Sequence, residues 1–414
     1  MSTLDVSVPR PNQGVWPGLD TPPKSPLKAR IAESLFRRAV ASLPVRVVLP
    51  NGVRLGAGGP DAPVMRIHRP AAFFHRLGAD AKIGFGEAYM VGDWSTTALA
   101  DLLSAFAAKL TTLIPPKLQL MRRWVELRHP DSEANSVEGA RENISRHYDL
   151  SNDLFATFLD ETMSYSSALF DESGDDRELV AGQLRKIDGV LDYAGVREGS
   201  RVLEIGTGWG ALAVRAAQRG ATVTSLTISA EQRKLAQQRV AEAGLSDRVE
   251  IHLRDYREEH GKYDAVVSVE MIEAVGAEYW PTYFGVLDRV LVPGGRVGLQ
   301  AITMPHDRML ASARSYTWIH KYVFPGGLIP SVQAIDKTVR EHTGLREVSS
   351  RAFGLDYAET LRQWRETFLT RWNDVSGFGF DETFKRMWEF YLAYSEAGFR
   401  VGYLDVRQFA YVKA

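Results

Sequence analysis

The stretch RVLEIGTGWGALAVRAAQRGATVTSLTISAEQ, residues 201–232, decides the fold of this chain. The apolar run Val202–Ile205 predicts a buried strand, and glycines alternate directly after it at Gly206, Gly208 and Gly210. An alanine-rich segment with helical spacing and a second, β-branched strand then complete a β-α-β unit. Because glycines let the backbone approach a ligand that side chains would block, the turn after the first strand is the expected ligand site.

The spacing of these glycines separates two nucleotide-binding patterns. The order is E-x-G-x-G-x-G from Glu204, whereas the dinucleotide pattern is G-x-G-x-x-G with a carboxylate about 20 residues further on. Here the second strand ends in Thr227, Ile228 and Ser229, without a carboxylate. The pattern therefore disfavours NAD and resembles the first motif of S-adenosylmethionine-dependent methyltransferases. An ordinary strand-turn-helix unit is the alternative.

The composition limits the possible functions. The 414 residues allow two or three domains, and the net charge of −1 gives no overall field that would attract nucleic acid. Cysteine is absent, so we expect no disulfide, no cysteine nucleophile and no thiolate metal site, and no other residues are assigned to a metal. No apolar run reaches the roughly 18–20 residues of a membrane span, and the N-terminus has no apolar signal core. We therefore expect a cytoplasmic protein with peripheral membrane contact at most.

The chain divides into three predicted regions. Residues 1–25, rich in Pro, Gly and Ser, are expected to be disordered. Residues 26–137 are expected to form a small α+β domain, beginning with a basic amphipathic helix over Leu27–Leu43. Such a helix can lie on a membrane surface, although a core-packing helix with a solvated face is the alternative. Residues 138–414 are expected to form an α/β domain, with the boundary in the turn-rich segment Pro130–Val137.

Local patterns predict several elements within these regions. Residues 26–137 contain a predicted hairpin with its turn at Asn51-Gly52 and a helix capped by Ser95 or Thr96. A second basic helix is predicted over Lys117–Arg128. Beyond residue 138, predicted strands alternate with helices, which implies a mainly parallel sheet.

Polar and aromatic side chains follow the neighbouring predicted strands. Thr227 and Gln232 come after the second strand and offer partners for a ribose. Asp255 and Tyr256 come after the third strand, where the tyrosine ring is suited to a flat base. Because the carboxyl ends of adjacent parallel strands meet at one edge, these residues predict a site for a nucleoside sulfonium cofactor. A structural role is the alternative for each residue taken alone.

Two carboxylates follow the fourth predicted strand. Glu270 and Glu273 lie three residues apart, so a helix there would place both on one face. A carboxylate beside a cationic cofactor can balance charge or accept a proton. The alternative is a favourable charge at a helix N-terminus.

Ordered motifs from about Arg141 to the C-terminus resemble the cyclopropane-fatty-acyl-phospholipid synthase and mycolic acid synthase family. They are HYDLSNDLF, MSYSSALF, VLEIGTGWG, LTISAEQ, DYR, SVEMIEAVG, KYVFPGG, LIPS, GLDYAETL and YLAYSEAGFRVGYLDV. The N-terminal IGFGEAYMVGDW resembles the lipid-handling domain of the longer phospholipid synthases. The resemblance implies a Rossmann-like class I methyltransferase domain with a mostly parallel sheet and acyl-chain-binding insertions. It also implies a smaller N-terminal α+β lipid-handling domain.

The resemblance further implies a reaction and its residues. The cis double bond of an acyl chain on a membrane phospholipid attacks the methyl group of S-adenosylmethionine, which leaves a carbocation. A bound bicarbonate ion then removes a proton, and a cyclopropane ring closes. The implied cofactor contacts are Tyr165, Ser166, Gly206, Thr207, Gly208, Thr227, Ile228, Gln232, Tyr256 and Val269. The implied catalytic, bicarbonate-binding residues are Ser167, Glu273, Gln300, Ile302 and Tyr357.

The chain departs from the family pattern at several positions. The usual pocket Cys is Ser167, the usual His of the strand motif is Gln300, and the His after the pocket Glu is Ala274. A second usual Cys is Ser395. Usual contacts of the anion site are thus replaced, and the resemblance leaves bicarbonate binding open.

The phrases SVEMIEAVG and QAITMPH resemble an actinobacterial branch of the family. Its members make 10-methylene and, with a partner flavin reductase, 10-methyl stearoyl lipids such as tuberculostearic acid. In that reaction a hydride shift moves the charge, and loss of a methyl proton gives an exocyclic methylene. This chain has no second nucleotide turn, so a separate flavin/NADPH-dependent reductase is expected for a saturated branch. The sequence leaves open whether the protein forms a homodimer.

Three other functions remain alternatives on the sequence. A cyclopropane synthase would close a ring on the same oleoyl substrate. A catalytically inactive lipid-binding protein would not need the glycine turn, Tyr165 or Glu273. A small-molecule O- or N-methyltransferase would not need the N-terminal domain or the apolar second half.

Overall fold

The computed structural model of the chain describes residues 11–109, 152–171, 178–313 and 315–414. These residues form two compact units. The first unit contains the described residues of 1–127, with 316–323 and 365–401. The second unit contains the described residues of 128–315, with 324–364 and 402–414.

The predicted domain boundary falls outside the described residues. Both the predicted basic helix Lys117–Arg128 and the predicted boundary Pro130–Val137 lie there. The division into a domain before residue 137 and one after it therefore stays a prediction. The first unit nevertheless includes 316–323 and 365–401 from the second half of the chain. No local sequence pattern indicates this, because it depends on packing between segments far apart in sequence.

Helices and strands are numbered here in chain order. The strands are β1 (Arg46–Val48), β2 (Arg54–Leu55), β3 (Val64–Ile67), β4 (Trp94–Ser95), β5 (Arg201–Ile205), β6 (Thr222–Thr227), β7 (Val249–Leu253), β8 (Tyr263–Val269), β9 (Leu291–Thr303), β10 (Leu345–Ala352) and β11 (Asp405–Lys413). The α-helices are α1 (Pro26–Val40), α2 (Pro70–Ala79), α3 (Ala81–Met90), α4 (Leu99–Ala107), α5 (Asn152–Phe158), α6 (Leu179–Tyr193), α7 (Ala211–Gln218), α8 (Ala230–Glu242), α9 (Trp280–Val290), α10 (His306–Ser312), α11 (Trp318–Tyr322), α12 (Val332–His342), α13 (Gly354–Thr370), α14 (Trp372–Gly377) and α15 (Glu382–Arg400). Short 3₁₀ turns lie at Tyr256–Glu258, Ile272–Ala274 and Ala277–Tyr279.

The first unit contains a small sheet with strand order β2-β1-β3-β4. Strands β1 and β2 pair antiparallel, which confirms the hairpin predicted from Asn51-Gly52. The helix predicted to begin at Ser95 or Thr96 begins instead at Leu99, because Ser95 belongs to β4. The Thr96 hydroxyl accepts a hydrogen bond from the Ala98 N–H at 3.1 Å, but Thr96 lies two residues before Ala98, which occupies the N-cap position of α4.

Helix α3 has no counterpart among the predicted elements, because it contains Gly84 and Gly86 and glycine weakens the preference for helix. Asp80 caps it, since its Oδ1 accepts hydrogen bonds from Lys82 N and Ile83 N at 2.8 and 3.0 Å. The glycines allow close packing within the first unit. A Cβ added at Gly86 would lie 2.6 Å from the Trp318 ring, and one at Gly84 would collide with the Arg76 carbonyl oxygen.

The disorder expected for residues 1–25 is not what the structure shows for residues 11–25. Leu19 is buried, and its carbonyl accepts a 2.6 Å hydrogen bond from the buried Arg76 guanidinium. The Trp16 indole N–H donates to the Asp381 carboxylate at 3.0 Å. These long-range contacts offset the local preference of Pro and Gly for irregular chain. Residues 1–10 lie outside the described part.

The second unit contains a sheet with strand order β10-β11-β9-β8-β5-β6-β7. Strands β9, β8, β5, β6 and β7 run parallel, whereas β11 is antiparallel to both β9 and β10. This confirms the predicted α/β class with a mostly parallel sheet. The strand order reverses at β5, since β6 and β7 lie on one side of it and β8 and β9 on the other. Sheets of this kind bind ligands beyond the carboxyl ends of the strands at such a point.

Both faces of this sheet are covered by apolar helices. Successive side chains of a strand point to opposite faces, so Val202 and Leu203 enter different clusters. Val202 packs with side chains of α6, α7 and α8. Leu203 packs with side chains of α9 and α12. Within the described residues, no helix is long and apolar enough to cross a lipid bilayer.

A substitution at Gly298 in β9 can test how closely α6 packs on the sheet. A Cβ at this position would collide with the Val190 carbonyl oxygen, so Gly298→Ala is expected to lower the free energy of unfolding by about 1–3 kcal/mol. Gly285 in α9 has no described heavy atom within 4 Å of its Cβ position. Gly285→Ala is therefore the matched control and should raise stability by up to about 1 kcal/mol. Urea unfolding measures both; equal effects would contradict the packing argument.

Candidate active site

A cavity in the second unit opens at the carboxyl ends of β5, β6, β7 and β8. All of the cofactor contacts implied by the resemblance line it: Tyr165, Ser166, Gly206, Thr207, Gly208, Thr227, Ile228, Gln232, Tyr256 and Val269. The fold therefore brings together residues from five separate segments of the chain. Lys186 and Glu270 also line the cavity, and the sequence did not assign them to the cofactor.

The glycine turn after β5 forms one wall of this cavity. Gly206, Gly208 and Gly210 have φ values of 96°, 51° and 92°, in the region that glycine adopts without strain. A Cβ at Gly206 would lie 2.6 Å from the Met271 side chain. No described heavy atom lies within 4 Å of the Cβ position at Gly208. The turn thus needs glycine for its backbone and leaves its surface open to a ligand.

The buried carboxyl group of Glu204 is linked to the turn by hydrogen-bonded hydroxyl groups. Glu204 accepts a 2.5 Å hydrogen bond from the Ser225 hydroxyl, which lies 2.7 Å from the Thr207 hydroxyl. Burial raises the pKa of Glu204 to about 8, although the Ser225 hydrogen bond opposes the shift. The chain of hydroxyl groups therefore ties the glycine turn to β6.

The two strands beside the turn supply side chains suited to a nucleoside. The Thr227 hydroxyl lies 3.1 Å from the Gln232 amide oxygen, and both side chains are buried. Asp255 is engaged by Arg257 at 2.7 and 2.8 Å, so the Tyr256 ring is the part of this pair available to a base. Burial raises the pKa of Tyr256 to about 12, which keeps its phenol neutral. Backbone amides, polar side chains and a ring fit a nucleoside with a charged tail.

Glu270 forms a second centre at the end of β8. Its carboxylate accepts hydrogen bonds from the Ser167 backbone N–H at 3.0 Å, the Gln300 amide at 2.8 Å and the Tyr357 hydroxyl at 2.8 Å. Its φ of 53° lies in the left-handed region that few non-glycine residues adopt. The helix predicted to begin here is only a 3₁₀ turn at Ile272–Ala274, because this φ does not fit an α-helix.

A ladder of polar side chains extends from Glu270 across three strands. Gln300, Gln408 and Arg351 are register partners on β9, β11 and β10. The Gln408 amide donates to the Gln300 side-chain oxygen at 2.9 Å, and Arg351 donates to the Gln408 oxygen at 2.6 and 3.0 Å. The ladder fixes the Gln300 amide so that its N–H groups face Glu270.

Lys186 is a buried cation of the same cavity. Its ammonium group donates a 2.5 Å hydrogen bond to the Ser166 hydroxyl. Burial lowers the pKa of Lys186 to about 8, while the nearby charges of Glu270 and Asp160 oppose the shift. At neutral pH the lysine is therefore still mostly protonated and compensates negative charge at Glu270.

Glu273 lies in a poorer environment for a charge than Glu270. One of its oxygens accepts a 2.5 Å hydrogen bond from the Ile302 backbone N–H. The other is buried without a hydrogen-bond partner among the described residues. Burial, with a further contribution from the Glu270 charge, raises the pKa of Glu273 to about 8. Burial also raises the pKa of Glu270, but its donors and Lys186 oppose that shift.

The implied catalytic residues thus divide between two carboxylates. Ser167, Gln300 and Tyr357 contact Glu270, and Ile302 contacts Glu273. The Ser167 hydroxyl turns away and donates to the Ala168 carbonyl, so only the backbone of Ser167 serves this site. Sequence reasoning left Glu270 open and missed Gln408, Arg351 and Lys186. Gln408 and Arg351 are placed by the pairing of strands far apart in sequence, and Lys186 by the packing of α6, neither of which a single sequence displays.

The fold and this cavity define a class I methyltransferase that uses S-adenosylmethionine. Residues 135–409 match the family model described as mycolic acid cyclopropane synthetase, and the chain belongs to that family.

Curated relatives extend the match along most of the chain. The tuberculostearic acid methyltransferase UfaA1 of Mycobacterium tuberculosis is 53% identical over 406 residues, covering 96% of this chain and 95% of the relative. The cyclopropane-fatty-acyl-phospholipid synthase of Escherichia coli is 34% identical over 385 residues, covering 90% of each. The similarity thus includes the first unit as well as the second.

Solved structures agree with this assignment. The cyclopropane synthase MmaA2 of Mycobacterium tuberculosis is 30% identical with a TM-score of 0.61, covering 66% of this chain and 98% of that one. The mycolic acid cyclopropane synthase CmaA1, complexed with SAH and CTAB, is 29% identical with a TM-score of 0.60 and the same coverage.

Gln232 offers a test of the cofactor site. Gln232→Leu removes a buried polar partner and is expected to weaken binding of S-adenosylhomocysteine by about threefold to tenfold in calorimetry. The control is Gln238→Leu, on the exposed side of the same helix, which should leave the affinity unchanged. Equal affinities for the two variants would remove Gln232 from the cofactor site.

Proposed function

We propose that the protein methylates the cis double bond of an oleoyl chain on membrane phospholipid and produces a 10-methylene acyl chain. The observation that carries this proposal is the 53% identity, over 96% of the chain, with a protein named tuberculostearic acid methyltransferase. The cyclopropane-fatty-acyl-phospholipid synthase of Escherichia coli is more distant, at 34%. Ring closure on the same substrate is therefore the second candidate.

The residues of the cavity have separable tasks in this reaction. S-adenosylmethionine, when bound, supplies an electrophilic methyl group on a sulfonium cation. The glycine turn, Thr227, Gln232 and Tyr256 would hold it at the edge of the sheet. An acidic group at the same cavity then balances the positive charge that the alkene carbon acquires.

Tyr165 lines the cavity and is backed by further aromatic rings. Tyr165 stacks on Trp364 with ring centroids 5.3 Å apart and meets Phe155 edge-on at 5.0 Å. Such rings exclude water, and their faces attract cations. The Tyr165 ring, held by its neighbours, is suited to an acyl chain that carries a transient positive charge.

The two candidate products differ in which carbon carries the positive charge when the methyl proton leaves. The π electrons of the alkene form the bond to the new methyl group and leave a cation on the neighbouring carbon. A hydride shift moves the cation to the methyl-bearing carbon. When a methyl C–H bond breaks, its electron pair forms the methylene double bond and the proton passes to a base. Reduction to a 10-methyl branch then needs a hydride, which we assign to a separate flavin/NADPH-dependent reductase.

Proton NMR of the lipid product tests the proposed function. The purified protein is incubated with S-adenosylmethionine and oleoyl-phospholipid vesicles, without a reductase. We expect vinylidene protons, because loss of the methyl proton after the hydride shift gives an exocyclic alkene. The methylene and cyclopropane products are isomers, so mass alone does not separate them. Cyclopropane ring protons as the only product signal would refute the proposed reaction.

Helix α1 supports peripheral contact with the inner face of the membrane. Leu27, Ile31 and Leu35 are 72%, 52% and 37% exposed, and their spacing of four residues forms an apolar stripe. Lys28 and Arg38 are exposed on the same helix. An exposed apolar stripe beside cations fits an anionic lipid surface. It would bring the protein to a substrate that stays in the bilayer.

Vesicle sedimentation tests this contact. Replacing Leu27, Ile31 and Leu35 together with Glu is expected to weaken binding to anionic vesicles by at least about tenfold, because each buried Leu or Ile contributes roughly 1.5–3 kcal/mol. Val348→Glu, at an exposed apolar position of β10, is the control and should bind normally. Undiminished binding of the triple variant would exclude α1 as the contact. The sequence left open whether the protein forms a homodimer. Analytical sedimentation of the protein without vesicles measures its mass in solution and so tests this.

A further inference from the structure

The anion site that the family resemblance implies is already filled by a side chain. The resemblance assigns bicarbonate to Ser167, Glu273, Gln300, Ile302 and Tyr357. In the structure Ser167, Gln300 and Tyr357 each donate a hydrogen bond to the carboxylate of Glu270, at 2.8–3.0 Å. The remaining donor, the Ile302 N–H, is engaged by Glu273. These residues therefore leave no hydrogen-bond donor of the implied set for a bicarbonate ion while Glu270 occupies the site.

We propose that the carboxylate of Glu270 replaces bicarbonate and is the proton acceptor of this enzyme. The inference rests on the proposed function, since it concerns the proton lost after methyl transfer. A carboxylate and a bicarbonate ion share a planar O–C–O group with delocalised negative charge, so the same donors suit both. Glu270 also lines the cavity that contains the cofactor residues, which places it where the proton is lost.

Glu270 has more hydrogen-bond donors and charge partners than Glu273, although burial still raises its pKa. Burial raises the pKa of Glu270, but the Ser167 N–H, the Lys186 charge and the Gln300 and Tyr357 side chains lower it. Glu273 has one hydrogen-bond donor and a pKa of about 8, so it is mostly protonated at neutral pH. Three donors from separate segments converge on Glu270, so of the two carboxyl groups it is the better placed to carry the negative charge and accept a proton.

The backbone of Glu270 supports a specific role for this side chain. Its φ of 53° is uncommon for a residue with a Cβ and is typical of strain held at functional sites. The Glu270 N–H nevertheless stays bonded to the Gln300 carbonyl at 2.8 Å. Glycine adopts this φ without strain. Glu270→Gly therefore removes the carboxylate and leaves the backbone conformation accessible.

The proposed step is balanced within the substrate and Glu270. A C–H bond of the new methyl group breaks, and its electron pair forms the exocyclic double bond and neutralises the carbocation. The proton passes to a carboxylate oxygen of Glu270. Neither an oxidant nor a reductant is needed.

Turnover with and without bicarbonate tests the proposal. Product formation is measured in carbon-dioxide-free buffer and with added bicarbonate for the wild type, Glu270→Gly, Glu270→Gln and the exposed control Glu278→Gln. We expect the wild type and Glu278→Gln to be indifferent to bicarbonate. Glu270→Gly should lose about 100-fold or more without it and recover at least about tenfold with it, since general-base catalysis contributes that much. Glu270→Gln should not recover, because its amide still fills the site.

A binding measurement gives a readout independent of turnover. Carbon-13 NMR of labelled bicarbonate, with S-adenosylhomocysteine and without lipid, is expected to show line broadening with Glu270→Gly and none with the wild type. Broadening with the wild type, or a wild-type rate that falls tenfold without bicarbonate, would overturn the proposal. Product identity is scored in the same reactions. Cyclopropane protons would refute the methylene product while leaving the comparison of bicarbonate dependence intact.

Discussion

The need to compensate a buried negative charge organises the second unit of this protein. Glu270 lies at the end of β8, and its compensating groups come from the loop after α5, from α6, from β9 and from α13. A buried carboxylate without such partners would cost several kcal/mol. The segments that carry these groups must therefore hold their relative positions, and the shape of the cavity follows from that requirement.

The glycine turn and the Glu270 cluster divide the chemistry between two edges of one cavity. The turn presents backbone groups on an open surface that suits a nucleoside. The cluster consists of polar side chains around a carboxylate that can accept a proton. Both follow parallel strands, β5 and β8, that are neighbours in the sheet. The reversal of strand order at β5 is what places them side by side. A methyl donor and a proton acceptor consequently meet without any single segment carrying both.

Local patterns predicted much of this architecture. The hairpin with its turn at Asn51-Gly52 was predicted and is found, because its turn and its two strands are adjacent in sequence. Helix α3 was missed, since its glycines weaken the local helix preference. The close approach of Gly84 to Arg76 and of Gly86 to Trp318 explains them, and the sequence does not show either contact. The helix predicted from Glu270 was wrong for a related reason. The hydrogen bonds of its carboxylate hold a φ that no local preference favours.

The sequence by itself determined the α/β class, the family and the residues of the glycine turn, because these depend on patterns within about 30 neighbouring positions. The tertiary structure decided which carboxylate receives the donors. Ser167, Gln300 and Tyr357 are separated from Glu270 by 103, 30 and 87 residues. Their meeting depends on sheet register and on the packing of α13, and both are properties of the whole chain. For that reason the sequence indicated a methyltransferase and its resemblance named Glu273, and only the fold showed that the donors converge on Glu270.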